Sequence, residues 1–100
     1  MYYFKRFWDE TTGNEWTGSW GTSCFYFETA ADYWPTRQIQ LFDNGNALKY
    51  TTEFVEDLFG GLAECALDKD DFERYAIDAA EFELLWATVS HYPHRFQRLC

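Results

Sequence analysis

A chain of 100 residues with 47% hydrophobic and 25% charged side chains has the composition of one folded domain, long enough for one hydrophobic core and too short for two; whole-chain disorder is disfavoured. The net charge of −9 repels phosphate backbones, which argues against direct nucleic-acid binding and in favour of a basic partner. Aromatic residues make up 22% of the chain, so few buried rings suffice for a core.

In chain order, YYFKRFW (residues 2–8) carries rings on both parities, Tyr2, Phe4 and Trp8 against Tyr3 and Phe7. It predicts an early strand covered on at least one side. DETTGNEWTGSWGTS collects Gly13, Asn14, Gly18 and Gly21 among hydroxyl side chains and reads as a loop or wide hairpin connection. CFYFET returns to strand composition, with Phe25 and Phe27 on one face and Cys24, Tyr26 and Glu28 on the other. After a break at AADYWP, TRQIQLF alternates: Arg37, Ile39 and Leu41 face one way, Gln38, Gln40 and Phe42 the other. Asn44-Gly45 favours the positive φ angles of a tight hairpin turn, and ALKYT completes the hairpin. TEFVEDLFGGL (residues 52–62) predicts a short helix with Phe54, Val55, Leu58 and Phe59 inward, stopped at Gly60-Gly61. DKDDFERYAI reads as an acidic loop entering an extended piece at Tyr75 to Ile77. Asp78, three residues before Glu81, is a variant of the capping box. Phe82, Leu85, Trp86 and Val89 follow at helical spacing and predict an amphipathic helix from about Ala79 to about Ser90, which Pro93 cannot continue. Strands first and one helix last make an α+β pattern: a single domain over residues 1–100, an antiparallel β-sheet with a C-terminal amphipathic helix packed on one face, and a loose tail at 91–100.

The opening YYFKRFW, the hairpin from Arg37 and Ile39 to Tyr50 with its Asn-Gly turn, and the closing Ile77, Glu81, Phe82, Glu83 and Trp86 resemble a family of small stand-alone bacterial domains of unknown function. The likeness spans most of residues 2–86. It implies an antiparallel sheet with a C-terminal helix, a bacterial source and, for some members, genes near polymorphic toxin genes. It carries no catalytic residues. ETTGNEWTGSWGTS and the tail after Trp86 depart from the family pattern and are where a specificity of this chain's own would lie.

Catalysis needs a nucleophile, a base or a metal in a pocket. His91 and His94 with Cys100 are zinc-type ligands, but Pro93 disrupts the geometry that would aim both rings together and a fourth ligand is unassigned, so neither metal nor cofactor is expected. Asp70-Asp71 and Glu81 with Glu83 are carboxylate pairs of the kind an acid-rich segment produces by chance. Cys24 sits among rings in a strand, the setting of an inert thiol, and the sequence contains no nucleophile elbow, phosphate loop or zinc-protease motif. An enzyme is not expected. Three cysteines without CxxC spacing, Cys24, Cys65 and Cys100, fit reduced thiols in the cytoplasm. The absence of a signal-peptide pattern and of a run of roughly 20 apolar residues points the same way, to a cytoplasmic protein without a membrane role.

The charge is uneven, for Glu53 to Glu83 holds eleven acids against Lys69 and Arg74. Candidate partner-binding residues are the acids Glu53, Glu56, Asp57, Glu64, Asp68, Asp70, Asp71 and Glu73, together with Trp16 and Trp20, large rings on a glycine-rich connection. For the two tryptophans the opposite placement, folded back as a cap on the sheet, carries equal weight. The expected function is that of an immunity protein or antitoxin-like inhibitor that docks its acidic segment on a basic toxin domain, such as a nuclease, and covers the active site. The alternatives are a protein- or peptide-binding adaptor and a small-ligand binder with an aromatic pocket.

Overall fold

The alternating segments of the first half pair with their sequence neighbours, the arrangement short connections favour. In the computed structural model, which describes all residues except Asn14, Trp16, Leu58 and 92–100, four strands form one antiparallel sheet in the order β1-β2-β3-β4. They are β1 (Tyr2–Trp8), β2 (Ser23–Thr29), β3 (Pro35–Phe42) and β4 (Ala47–Thr51). Two short helices follow, α1 (Lys69–Phe72) and α2 (Ala79–Thr88). The β3–β4 turn forms at Asn44-Gly45: Gly45 takes φ +90°, Asn44 Oδ1 accepts from the Asn46 N–H at 2.9 Å, and the Gly45 N–H donates to the Phe42 carbonyl at 2.9 Å.

Register sorts the side chains. Phe4, Phe27, Gln38 and Tyr50 stand opposite one another across the sheet and define a first face; Lys5, Tyr26, Ile39 and Lys49 define the second. Both faces are covered, which is why rings occur on both parities of β1 and β2. Trp20 and the chain after β4 cover the first face. Trp20 and Leu62 pack with Phe42, Leu48 and Tyr50 at one end, and Phe72 packs with Phe4 and Phe27 at the other. On the second face Phe82 of α2 is fully buried against Tyr26 and Ile39. Arg37 lies 4.9 Å from the rings of both Phe82 and Trp86 while its guanidinium reaches Glu28 at 2.6 Å and Glu83. Lys49 Nζ donates to the carbonyls of Trp86 at 2.7 Å and Val89 at 3.1 Å, closing the C-terminal end of α2 with a positive charge.

Three local expectations are corrected. Residues 52–62 form no helix among those described; they double back twice through isolated bridges, Thr51 to Phe54 and Glu56 to Gly61. The acidic stretch is not merely a loop, because it contains α1 followed by a 3-10 turn at Glu73–Tyr75, and strand-like pairing is limited to Ala76 bridging Phe4. Asp78 is the N-cap residue of α2, yet its side chain makes no capping hydrogen bond. No helix among the described residues is long and apolar enough to cross a membrane.

Candidate partner-binding face

The chain leaves β4 through a turn that Thr51 organises. Its N–H donates to the Phe54 carbonyl at 3.1 Å and its carbonyl accepts from the Phe54 N–H at 3.2 Å. Its Oγ1 also accepts from the N–H groups of Glu53 at 3.1 Å and Phe54 at 3.0 Å. A hydroxyl that satisfies two turn donors holds the turn without help from a core.

Asp57 organises the second turn. Oδ1 accepts from Tyr50 Oη at 2.8 Å and from the N–H groups of Phe59 at 2.9 Å and Gly60 at 3.3 Å; Oδ2 lies 2.6 Å from His91 Nε2. The Lys49 N–H donates to His91 Nδ1 at 2.7 Å, which makes Nδ1 the unprotonated nitrogen and Nε2–H the donor to Asp57. Burial alone would raise the Asp57 carboxyl above the ordinary carboxylate range, but the hydrogen bonds from His91, Phe59 and Tyr50 outweigh it and hold it below. Burial, reinforced by Asp57, pushes the Tyr50 hydroxyl in the other direction, up. Gly61 closes this turn at tight quarters: a Cβ there would stand 3.0 Å from the Val55 carbonyl oxygen and 3.2 Å from the Glu56 Cβ, so both neighbours would have to give way.

The consequence is an exposed tip. Phe54 is 45% and Val55 44% exposed, with Glu53 before them and Glu56 after, both exposed. Phe54 is propped from below, its ring 5.8 Å from Tyr50 and 5.2 Å from His91. Glu64, Asp68, Asp70 and Glu73 are exposed further along the same segment. Asp68 accepts from the Asp70 N–H at 2.9 Å as the N-cap of α1, and Asp71 is half-buried, 2.6 Å from Arg6 and 3.5 Å from Arg74.

Each described arginine meets a carboxylate: Arg6 and Arg74 meet Asp71, and Arg37 meets Glu28 and Glu83. The side chains of Glu53, Glu56, Glu64 and Glu73 have no such partner among the described residues. The negative excess therefore faces outward.

Of the predicted site residues, Glu53, Glu56, Glu64, Asp68, Asp70 and Glu73 are exposed along the covering segment, the first two on the Phe54–Val55 turn and the last three at α1, while Asp57 and Asp71 are drawn into internal contacts. Trp20 takes the core placement, 8% exposed, edge-on to Phe42 at 5.0 Å and stacked with Phe59 at 5.9 Å; it offers no exposed ring to a partner. Trp16 lies outside the described residues, as does most of the expected tail. Phe54 and Val55 are the residues that helical spacing misdirected, and the signal for them was Thr51-Thr52 together with Asp57 and Gly60-Gly61, turn chemistry at both ends of a segment too short for a stable helix. Cys24 is half-buried and Cys65 exposed, both as free thiols; burial raises the Cys24 thiol. Among the described residues no cluster of three or more histidine, cysteine or acidic side chains has metal-binding geometry. No protein-family model, curated protein or solved structure matches this chain.

Proposed function

We propose that this protein is an immunity-type inhibitor that acts in the cytoplasm by binding a basic toxin domain and covering its active site. The observation that supports this reading is the Phe54–Val55 tip: two exposed apolar side chains on a turn held by Thr51 and Asp57, between the exposed carboxylates of Glu53 and Glu56. An apolar anchor inside a charged rim is the usual anatomy of a protein interface. A turn fixed before binding loses little entropy on docking. The acids of residues 64–73 extend the negative field along the same segment and would steer a basic partner into contact.

Growth rescue tests it. Expression of the gene immediately upstream in the source genome should arrest growth, and co-expression of this chain should restore it. Phe54→Asp combined with Glu53→Lys and Glu56→Lys should abolish rescue while leaving the circular-dichroism spectrum unchanged. A harmless neighbour, or rescue that survives the triple variant, removes this reading and leaves a protein- or peptide-binding adaptor as the alternative.

A further inference from the structure

Across the first face, between β1, β2 and the covering segment, runs a groove of about 460 Å³, within the roughly 300–1,000 Å³ typical of small-molecule sites. Phe25, Phe27, Phe72 and Trp8 give it apolar walls, and Arg6, Thr12, Gln38 and Gln40 are its polar side chains. The Phe25 and Phe27 rings are parallel within 6°, their centroids 5.8 Å apart, and such a pair presents flat apolar surface to a third ring.

Two glutamines on the same face of β3 differ in one respect. Gln38 uses its whole amide: Nε2 donates to the Gly61 carbonyl at 3.0 Å, and Oε1 accepts from the Ala63 N–H at 2.9 Å. It thereby grips the amide edge of the covering segment. Gln40, one pleat along, is only 9% exposed, and its Nε2 donates to Ser23 Oγ at 3.0 Å. Its Oε1 has no hydrogen-bond partner among the described residues. The buried side-chain orphan among the described residues is Thr29 Oγ1; Gln40 Oε1 instead opens to the groove, an acceptor that a ligand N–H can take over from water.

Charge narrows the ligand. Arg6, the charged side chain of the lining, is already paired with Asp71 at 2.6 Å and lies over the rings of Trp8, Phe72 and Tyr75, so it offers no free counter-charge to an anion, and no carboxylate among the described residues lines the groove to hold a cation. We propose that this groove binds a small, neutral, planar heteroaromatic molecule that donates an N–H to Oε1 of Gln40, as a ring carboxamide does. The site is independent of the toxin-binding reading and stands or falls separately.

Titration of the full chain with nicotinamide, followed by ¹H–¹⁵N NMR, tests it. Saturable shifts are expected at the Gln40 side-chain amide and at the backbone amides of Phe25 and Ala63. Toluene, which has no donor, and benzoate, which is an anion, should bind more weakly, as should Gln40→Leu toward nicotinamide, by about tenfold. The comparison of nicotinamide with toluene on the unaltered protein holds even if the Gln40→Leu variant does not fold. No saturable shift in the millimolar range, equal shifts with toluene or benzoate, or undiminished binding by a folded Gln40→Leu variant would overturn the proposal.

Discussion

Asp57 shows how one side chain can decide a local structure. It is the shared acceptor for Tyr50, for two backbone donors of its own turn and for His91, and Tyr50 is fully buried. Asp57→Ala strands that hydroxyl, so unfolding in urea should show a loss of about 2–4 kcal/mol. Asp57→Asn keeps the Oδ1 acceptor and should recover about half of that. Glu28 makes the complementary case on the other face. Bidentate hydrogen bonds from Arg37, with further ones from Thr36 and Tyr3, hold its carboxyl at about 2 against an ordinary 4.5, although burial opposes them. A carboxyl lowered by folding stabilises the protein fully above its unfolded value and loses that contribution as pH falls toward its folded value. Stability should therefore decline between about pH 4.5 and about pH 2, and Glu28→Gln should flatten that decline. An unchanged acid limb in the variant would remove Glu28 as its cause.

At the scale of elements, two side chains substitute for regular secondary structure. Gln38 pairs with the backbone of residues 61–63 as a neighbouring strand would, and His91 accepts the outward N–H of Lys49 on the edge strand β4. Both satisfy backbone groups that the sheet ladder leaves open. Gln38→Leu should cost about 1–3 kcal/mol, because the Gly61 carbonyl and Ala63 N–H lose their partner within a mostly covered site. Amide exchange of Ala63 should accelerate more than that of Ile39, and uniform acceleration would mean that the variant acts on global stability instead. The strands and the β3–β4 turn were legible in the sequence, since alternation and Asn-Gly are local signals. The covering segment was not: Phe54, Val55 and Phe59 fit a helical spacing, and Thr51 and Asp57 reveal themselves as turn-formers only when their partners are in place. Asp78 and Glu81 had the spacing of a capping box, but spacing does not orient a side chain, and no capping bond from Asp78 forms.

For the whole molecule, the described acids fall into two groups, those paired with arginine or histidine and those left at the surface. The described arginines are engaged with carboxylates, while Glu53, Glu56, Glu64 and Glu73 of the covering segment are exposed and meet no cation among the described residues. Net self-repulsion opposes folding and is screened by salt, whereas half-buried ion pairs are screened much less. Raising NaCl from about 50 mM to about 500 mM at neutral pH should raise Tm. A fall in Tm would mean that the internal pairs dominate. The candidate site was legible as a charged segment, because acid content is countable. Its apolar centre and the withdrawal of Asp57 and Asp71 were not, because pairing depends on residues far away in the chain: Asp71 on Arg6, Asp57 on His91.

The sequence by itself determined that the first half makes antiparallel strands, that a helix follows near residue 79, and that residues 53–83 are strongly negative. These follow from periodicity, turn residues and charge, all properties of neighbouring positions. Only the tertiary structure decided that both faces of the sheet are covered, that Trp20 is core, that Phe54 and Val55 are surface, and that Gln40 stands with an open amide oxygen beside Phe25 and Phe27. Each depends on which side of an element meets another, and that choice is made by the sum of packing over the whole chain.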